Sequence, residues 1–152
     1  MNEAISEVIE LTRGEASKNS VSVQTQFAES LPAVKADRTQ LQQVILNLIL
    51  NAIQAMGDSG MALRELQIGT EANWPDNVLV SIRDSGPGIR PESIERLFDP
   101  FYTTKQAGMG MGLAICRSIV EGHGGRIWAT ANMPRGAAFH LTLPVAPEWI
   151  RA

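Results

Sequence analysis

The most constraining stretch of this chain is DRTQLQQVILNLILNAIQAM, from Asp37 to Met56. At about 100° per residue, Gln40, Gln43, Asn47, Asn51 and Gln54 share one narrow stripe. Nearly everything else is apolar: Leu41, Val44, Ile45, Leu46, Leu48, Ile49, Leu50, Ala52 and Ile53. Such a helix is buried over most of its circumference, so the remaining chain has to build layers around it. Asp37 is placed as its N-cap, and Gly57 and Gly60 close it. The stripe has two readings. As a solvated face it would ordinarily carry Lys, Glu or Arg, because asparagine is a poor helix former that competes with the backbone. As a site, Asn47 and Asn51 at i and i+4 present neutral carbonyl oxygens at one spot, suited to a hard cation such as Mg²⁺.

The flanking segments supply the layers. Ile5, Val8, Ile9 and Ala16 predict an amphipathic helix from Asn2 to about Lys18. SVSVQTQF alternates Val21, Val23, Thr25 and Phe27, the pattern of a half-buried strand. Beyond the long helix, ELQIGTEA and NVLVSIRD read as strands joined by the turn NWPDN. PESIERLF is a short helical piece with Pro91 in its first turn. DPFYTTKQAGMG has no periodicity and predicts a long loop, followed by a helix from about Met111 to Glu121. GGRIWATA and GAAFHLTLP are two further strands around the turn NMPRG. The expected architecture is an α/β domain whose last four strands form a mostly antiparallel sheet with helices packed on it.

Composition narrows the function classes. At 152 residues, 44% apolar and 19% charged, the chain has the make-up of one ordinary soluble domain. No apolar run approaches the roughly 20 residues that cross a bilayer, and the N-terminus lacks the basic start and apolar core of a signal peptide. The lone Cys116 excludes an internal disulfide and a multi-cysteine metal site, and fits a reducing compartment. A net charge of −3 argues against nucleic acid as a partner.

Two glycine segments carry the chemistry. DSGPG, from Asp84 to Gly88, follows a strand of alternating Val78, Val80 and Ile82. It reads either as a tight turn in which Asp84 bonds its own backbone, or as a carboxylate poised for an exocyclic amine while glycines admit a flat ring. GMGMGL spends Gly108, Gly110 and Gly112 where a helix begins. No strand directly precedes it and no GxxxxGK[ST] occurs, so neither the dinucleotide fingerprint nor the P-loop applies. The remaining readings are a glycine hinge, or helix-end amides that glycine lets phosphate oxygens approach, with Lys105 adding positive charge.

Taken in order and spacing, DRTQLQQVILNLILNAIQAM, DSGPG, LFDPFYTTK and GMGMGL resemble the four boxes of sensor histidine kinases. The resemblance spans roughly Asp37 to Pro144 and implies the ATP-binding catalytic domain of a two-component kinase, in the gyrase, chaperone and histidine-kinase ATPase superfamily. The implied fold is a two-layer α/β (α+β) sandwich, a mixed, mostly antiparallel sheet covered on one face by helices. Residues 1–36 are then a lead-in helix and strand, 37–144 the core and 145–152 a tail. By position, Asn51 resembles the Mg²⁺ ligand, with Asn47 beside the phosphates. Asp84 resembles the carboxylate that reads the adenine amine, with Gly86, Gly88 and Ile89 lining its pocket. Phe98 and Phe101 match the aromatic box that anchors a lid. Thr104, Lys105, Gly108, Met109, Gly110, Met111, Gly112 and Leu113 match the lid and the phosphate-receiving helix start. Asn47 and Lys105 are the residues expected to assist transfer.

The chain also departs from the pattern. Gln54 stands three residues after Asn51, where many relatives are basic, which shifts the side-chain charge on the phosphates to Lys105. The family's phosphoacceptor is a His followed by an acidic residue on a separate dimerising helix. Here His123 precedes Gly124 at a helix end and His140 sits inside a strand, so both read as structural. The resemblance therefore implies part of a longer kinase, cytoplasmic or the cytoplasmic part of a membrane-anchored sensor, without membrane contact of its own. Its partners would be a histidine-phosphoacceptor domain and a response regulator. Two alternatives stand beside the kinase: an ATPase of the same superfamily, and a nucleotide-binding module without chemistry. Asn47 separates the first of these, since the superfamily's hydrolases carry a Glu there and an amide is no general base.

Overall fold

A computed structural model of the chain describes residues 1–57, 60, 63–73, 75–100, 112–133 and 135–146. The elements are α1 (Asn2–Lys18), β1 (Ser22–Gln26), α2 (Arg38–Gly57), β2 (Glu65–Asn73), β3 (Asn77–Asp84), α3 (Pro91–Ile94), α4 (Gly112–Gly122), β4 (Arg126–Ala131) and β5 (Ala137–Pro144). The strands form one sheet in the order β1-β2-β3-β5-β4. β1 pairs parallel with β2 and every other pair is antiparallel. The parallel pair needs a crossover, and α2 is that crossover.

Strand alternation explains the layering. Ile68, Ile82, Phe139 and Ala129 lie in one row across the sheet, and all four are buried in the core shared with Ile5, Val44, Ile45, Leu48 and Ile53 of α1 and α2. The alternate residues point to the other face, where Arg83 and Thr130 are exposed. α1 packs on α2, and α2 on α4 and β3. The mixed, mostly antiparallel sheet with helices packed on it is of the expected class.

Local detail departs from the sequence pattern in three places. Of the alternating residues around β1, only Thr25 departs from the expected pattern and is exposed; Val21 is buried, and Val23 and Phe27 are half-buried against the core. The piece beginning at Pro91 is helical only to Ile94 and continues as turns to Phe98. Leu50, though apolar, is 36% exposed, since its helical angle places it beside the exposed Gln43 and Gln54 of the stripe.

The lead-in is stitched to the sheet by polar contacts. Asn2 donates to the Ala28 carbonyl at 2.8 Å and accepts from Thr70 Oγ1 at 2.7 Å, while Thr70 Oγ1 accepts the Ala28 amide at 3.1 Å. Val34 forms an antiparallel bridge with Val145.

Candidate nucleotide site

α2 and α4 run antiparallel, and two contacts define their pairing. At one end the Asp37 amide meets His123 Nε2 at 3.0 Å; further along, Asn47 Nδ2 meets Cys116 Sγ at 3.7 Å. One more turn of α2 reaches Asn51 while one more turn of α4 reaches its first residue, Gly112. The pairing thus carries Asn51 toward the amides that begin α4. Burial also divides the stripe: Gln40, Gln43 and Gln54 are exposed, whereas Asn47 and Asn51 are half-buried. The solvated-face reading fits the glutamines, and the two asparagines are set apart from them. A Cβ added at Gly112 would meet no neighbour within 4 Å, so packing among the described residues does not call for glycine there. The amides at a helix start are where an anion is favoured.

The donor chemistry suits Mg²⁺ on the same grounds. Amide oxygens are hard, neutral ligands, and Mg²⁺ takes few protein donors and completes its octahedron with phosphate oxygens and water. Among the described residues no group of three or more His, Cys, Asp or Glu is placed to hold a metal. Asn47 and Asn51 would hold the ion together with phosphate, and the ion would supply charge neutralisation there.

At its other end α2 reaches the Asp84 turn. Asp84 closes β3 on the helix-facing side and is only 4% exposed. Its Oδ1 accepts the amides of Gly86 at 2.9 Å and Ala137 at 3.2 Å. Burial pushes the carboxyl above the ordinary carboxylate range, opposed by those two amides. Both amides converge on Oδ1, so neither occupies Oδ2. A Cβ at Gly86 would come within 3.2 Å of Asp84 Oδ1 and 3.3 Å of Met56 Cγ, which puts the turn against the end of α2. Gly88 has a φ of +89°, and a Cβ there would press on the Gly136 carbonyl at 3.2 Å. Ile89 is half-buried against the core.

Several neighbours of Asp84 carry no local motif. Gly136 has a φ of +104°, and a Cβ there would overlap the Asp84 carbonyl. Asn132 donates to that carbonyl at 2.8 Å. Both belong to the turn between β4 and β5, which reads in sequence only as a connection. Its glycine is the one available signal.

Phe98 is 5% exposed and meets Phe139 edge-to-face, ring centroids 6.2 Å apart and planes at 81°. It pins the segment after α3 to the sheet. Leu113 is half-buried against the core, and Cys116 is fully buried with its thiol pushed up to about 11, chiefly by desolvation. Phe101, Thr104, Lys105, Gly108, Met109, Gly110 and Met111 lie outside the described residues, as do the aperiodic loop and the tail beyond 146.

The two histidines are engaged at both ring nitrogens. His140 contacts Ser81 Oγ at 3.0 Å and Thr130 Oγ1 at 2.9 Å, stacks on Trp128, and has its pKa lowered by burial and then by Arg83. His123 contacts the Ile119 carbonyl and the Asp37 amide. A groove of about 630 Å³ lies over β1 to β3, lined by Gln24, Gln67, Gly69, Ser81 and Arg83 among others, and shares no residue with the Asp84 cluster.

Along one helix, then, an amide pair beside a helix start is followed by a buried carboxylate beside glycine turns. Residues 36–147 match the family described as histidine kinase-, DNA gyrase B-, and HSP90-like ATPase. The chain belongs to that family. Sensor histidine kinase TmoS of Ectopseudomonas mendocina is 39% identical over 137 residues, which are 90% of this chain and 14% of TmoS. The chain therefore spans a small part of that curated relative's length. The catalytic domain of histidine kinase ThkA superposes with a TM-score of 0.85 at 39% identity, covering 97% of this chain and 94% of that one. ThkA in complex with the response regulator TrrA gives 0.81 at 38% identity, covering 97% and 41%. Full-length ShkA in complex with AMPPNP gives 0.82 at 26% identity, covering 95% and 30%. The fold of this ATPase-family domain is that of a histidine-kinase catalytic domain.

Proposed function

We propose that this domain binds Mg-ATP and donates the γ-phosphoryl group to a histidine on a separate dimerising acceptor domain, within two-component signalling. The observation that carries this reading is the order of groups along α2. Asn47 and Asn51 lie about 7 to 14 Å of helix from Met56, at 1.5 Å per residue, and Met56 touches the Gly86 turn beside Asp84. Adenine at Asp84 and phosphates between Asn51 and the start of α4 fit that separation. The AMPPNP complex of ShkA and the response-regulator complex of ThkA support the same reading.

The chain's part in transfer is positioning and charge neutralisation. Asp84 fixes the base, the glycines admit it, Asn51 and Asn47 orient the phosphate end, and the first amides of α4 together with Lys105 neutralise charge. The acceptor imidazole brings its own lone pair, so no residue need act as a base. Asn47, an amide, has no lone pair basic enough to activate water for hydrolysis. The setting proposed is cytoplasmic; among the described residues no helix is long and apolar enough to cross a membrane.

Labelled ATP tests the reading with the chain alone, with an acceptor domain bearing an exposed His–Glu pair, and with that domain's His→Gln variant. Acid-labile, base-stable label should appear only on the intact acceptor. Rapid phosphate release without an acceptor would favour an ATPase, and tight binding with no transfer to any acceptor would leave a nucleotide-binding module. Label on the chain alone would overturn the structural role of its histidines.

A further inference from the structure

One imidazole ties the end of α4 to the start of α2. His123 Nδ1 lies 2.8 Å from the Ile119 carbonyl and Nε2 lies 3.0 Å from the Asp37 nitrogen. A carbonyl only accepts and a backbone amide only donates, so the tautomer is dictated: Nδ1 carries the proton and Nε2 offers its lone pair.

Asp37 is also the N-cap of α2, its Oδ1 accepting the Gln40 amide at 2.9 Å. In a capping box, the residue at the third helical position reaches back to bond the cap's own amide. That position is Gln40 here, yet the Asp37 amide goes to His123, 86 residues away in the chain. The start of α2 is thus capped in part by the end of α4. Sliding or tilting α4 must either break this bond or displace the cap.

The lever arms give the consequence. Taking the Asn47–Cys116 contact as a pivot, the helix extends about 10 Å to His123 and about 6 Å to Gly112, at 1.5 Å per residue. A tilt that shifts the histidine by about 1 Å therefore moves the first turn of α4 by roughly 0.6 Å relative to Asn51, and an axial slip moves it by the full amount; misplacements near 1 Å are costly to ordered reactants. We propose that His123 is a positioning residue for the phosphate end of the site, acting through the alignment of α4 on α2. The role rests on the nucleotide reading above; the bond itself does not.

The experiment compares His123→Ala, His123→Gln and His123→Asn for ATP and for adenosine by calorimetry. It adds ring ¹⁵N spectra of the wild-type chain. A glutamine amide reaches the place of Nε2 and an asparagine amide the place of Nδ1. The alignment held by one neutral hydrogen bond can cost ATP binding no more than that bond is worth, so His123→Ala should weaken ATP binding by more than about twofold and by at most about 12-fold, while adenosine affinity stays within about twofold. His123→Gln should recover most of the ATP affinity and His123→Asn should not. The neutral ring should show a protonated Nδ1 and a bare Nε2. Unchanged ATP affinity in His123→Ala would overturn the proposal. So would equal rescue by the two amides, parallel loss of ATP and adenosine binding, or the opposite tautomer. If His123→Ala does not fold, the contrast between the two amide variants decides. Wild-type chain that binds neither ligand would refute the nucleotide reading and this role with it, while the ring spectra still judge the His123–Asp37 hydrogen bond.

Discussion

Replacing Asp84 by asparagine separates what the carboxylate does for a ligand from what it costs the fold. Asp84 is 4% exposed, and its Oδ1 receives two backbone amides. Amide-to-carboxylate bonds contribute roughly 1.5–3 kcal/mol each against about 0.5–1.5 for neutral bonds, so Asp84→Asn gives up some of that. Yet the carboxyl is held above the ordinary carboxylate range, with burial as the leading cause. Desolvation of the charge therefore outweighs both amides, and an asparagine oxygen can still accept them. The unliganded variant should unfold at the same temperature as the wild type or higher at neutral pH. Binding should move the other way. If Oδ2 reads the adenine amine as proposed, an asparagine NH₂ in its place would set a donor against that amine, costing about 1–3 kcal/mol or roughly 5- to 150-fold in ATP affinity.

The pH dependence provides an independent check. A carboxyl with a raised folded pKa binds more protons folded than unfolded in the window between the two values. Its contribution to stability falls as pH rises through that window and stays low above it. Wild type should therefore gain on Asp84→Asn as pH is lowered through the raised pKa. Calorimetric titration with ATP and GTP, and thermal melts across that range, read both effects. Unchanged ATP affinity with unchanged preference over GTP would refute the adenine assignment. A variant clearly less stable at neutral pH would refute the argument that burial dominates.

Asn51→Ala should abolish the Mg²⁺-dependent part of ATP affinity and leave the metal-free part nearly intact; equal strengthening by Mg²⁺ in variant and wild type would remove Asn51 from the metal site. Cys116, fully buried with its thiol near 11, should resist alkylation at pH 8 until the domain unfolds, so its labelling rate should follow denaturant unfolding; fast labelling of folded chain would contradict the packing of α4. Gly136→Ala sets a side chain at a φ of +104° against the Asp84 carbonyl, and should cost at least about 1–3 kcal/mol in denaturant titration from the backbone conformation alone. A loss under about 0.5 kcal/mol, the range of a neutral surface change, would mean that the turn relaxes freely.

What the sequence determined by itself is whatever a few neighbouring residues encode. The apolar surround of α2 demanded a central helix, Asp37 sat in place to cap it, and the alternation in NVLVSIRD marked β3 up to Asp84. Asn47, Asn51, Asp84 and Gly86 were legible as candidates because their motifs are local and ordered. Tertiary structure decided everything that joins distant segments. It laid β5 between β3 and β4 and put β1 at the edge of the sheet. It left Asn47 and Asn51 half-buried beside exposed glutamines of the same stripe, with Asn47 against Cys116 of α4. It also brought Gly136, Ala137 and Asn132 around Asp84, and the ring of His123 to the amide of Asp37. Periodicity and turn chemistry act through torsions and contacts within about a turn of chain. Register, burial and hydrogen bonds across the fold depend on which surfaces meet, and no short segment contains that information.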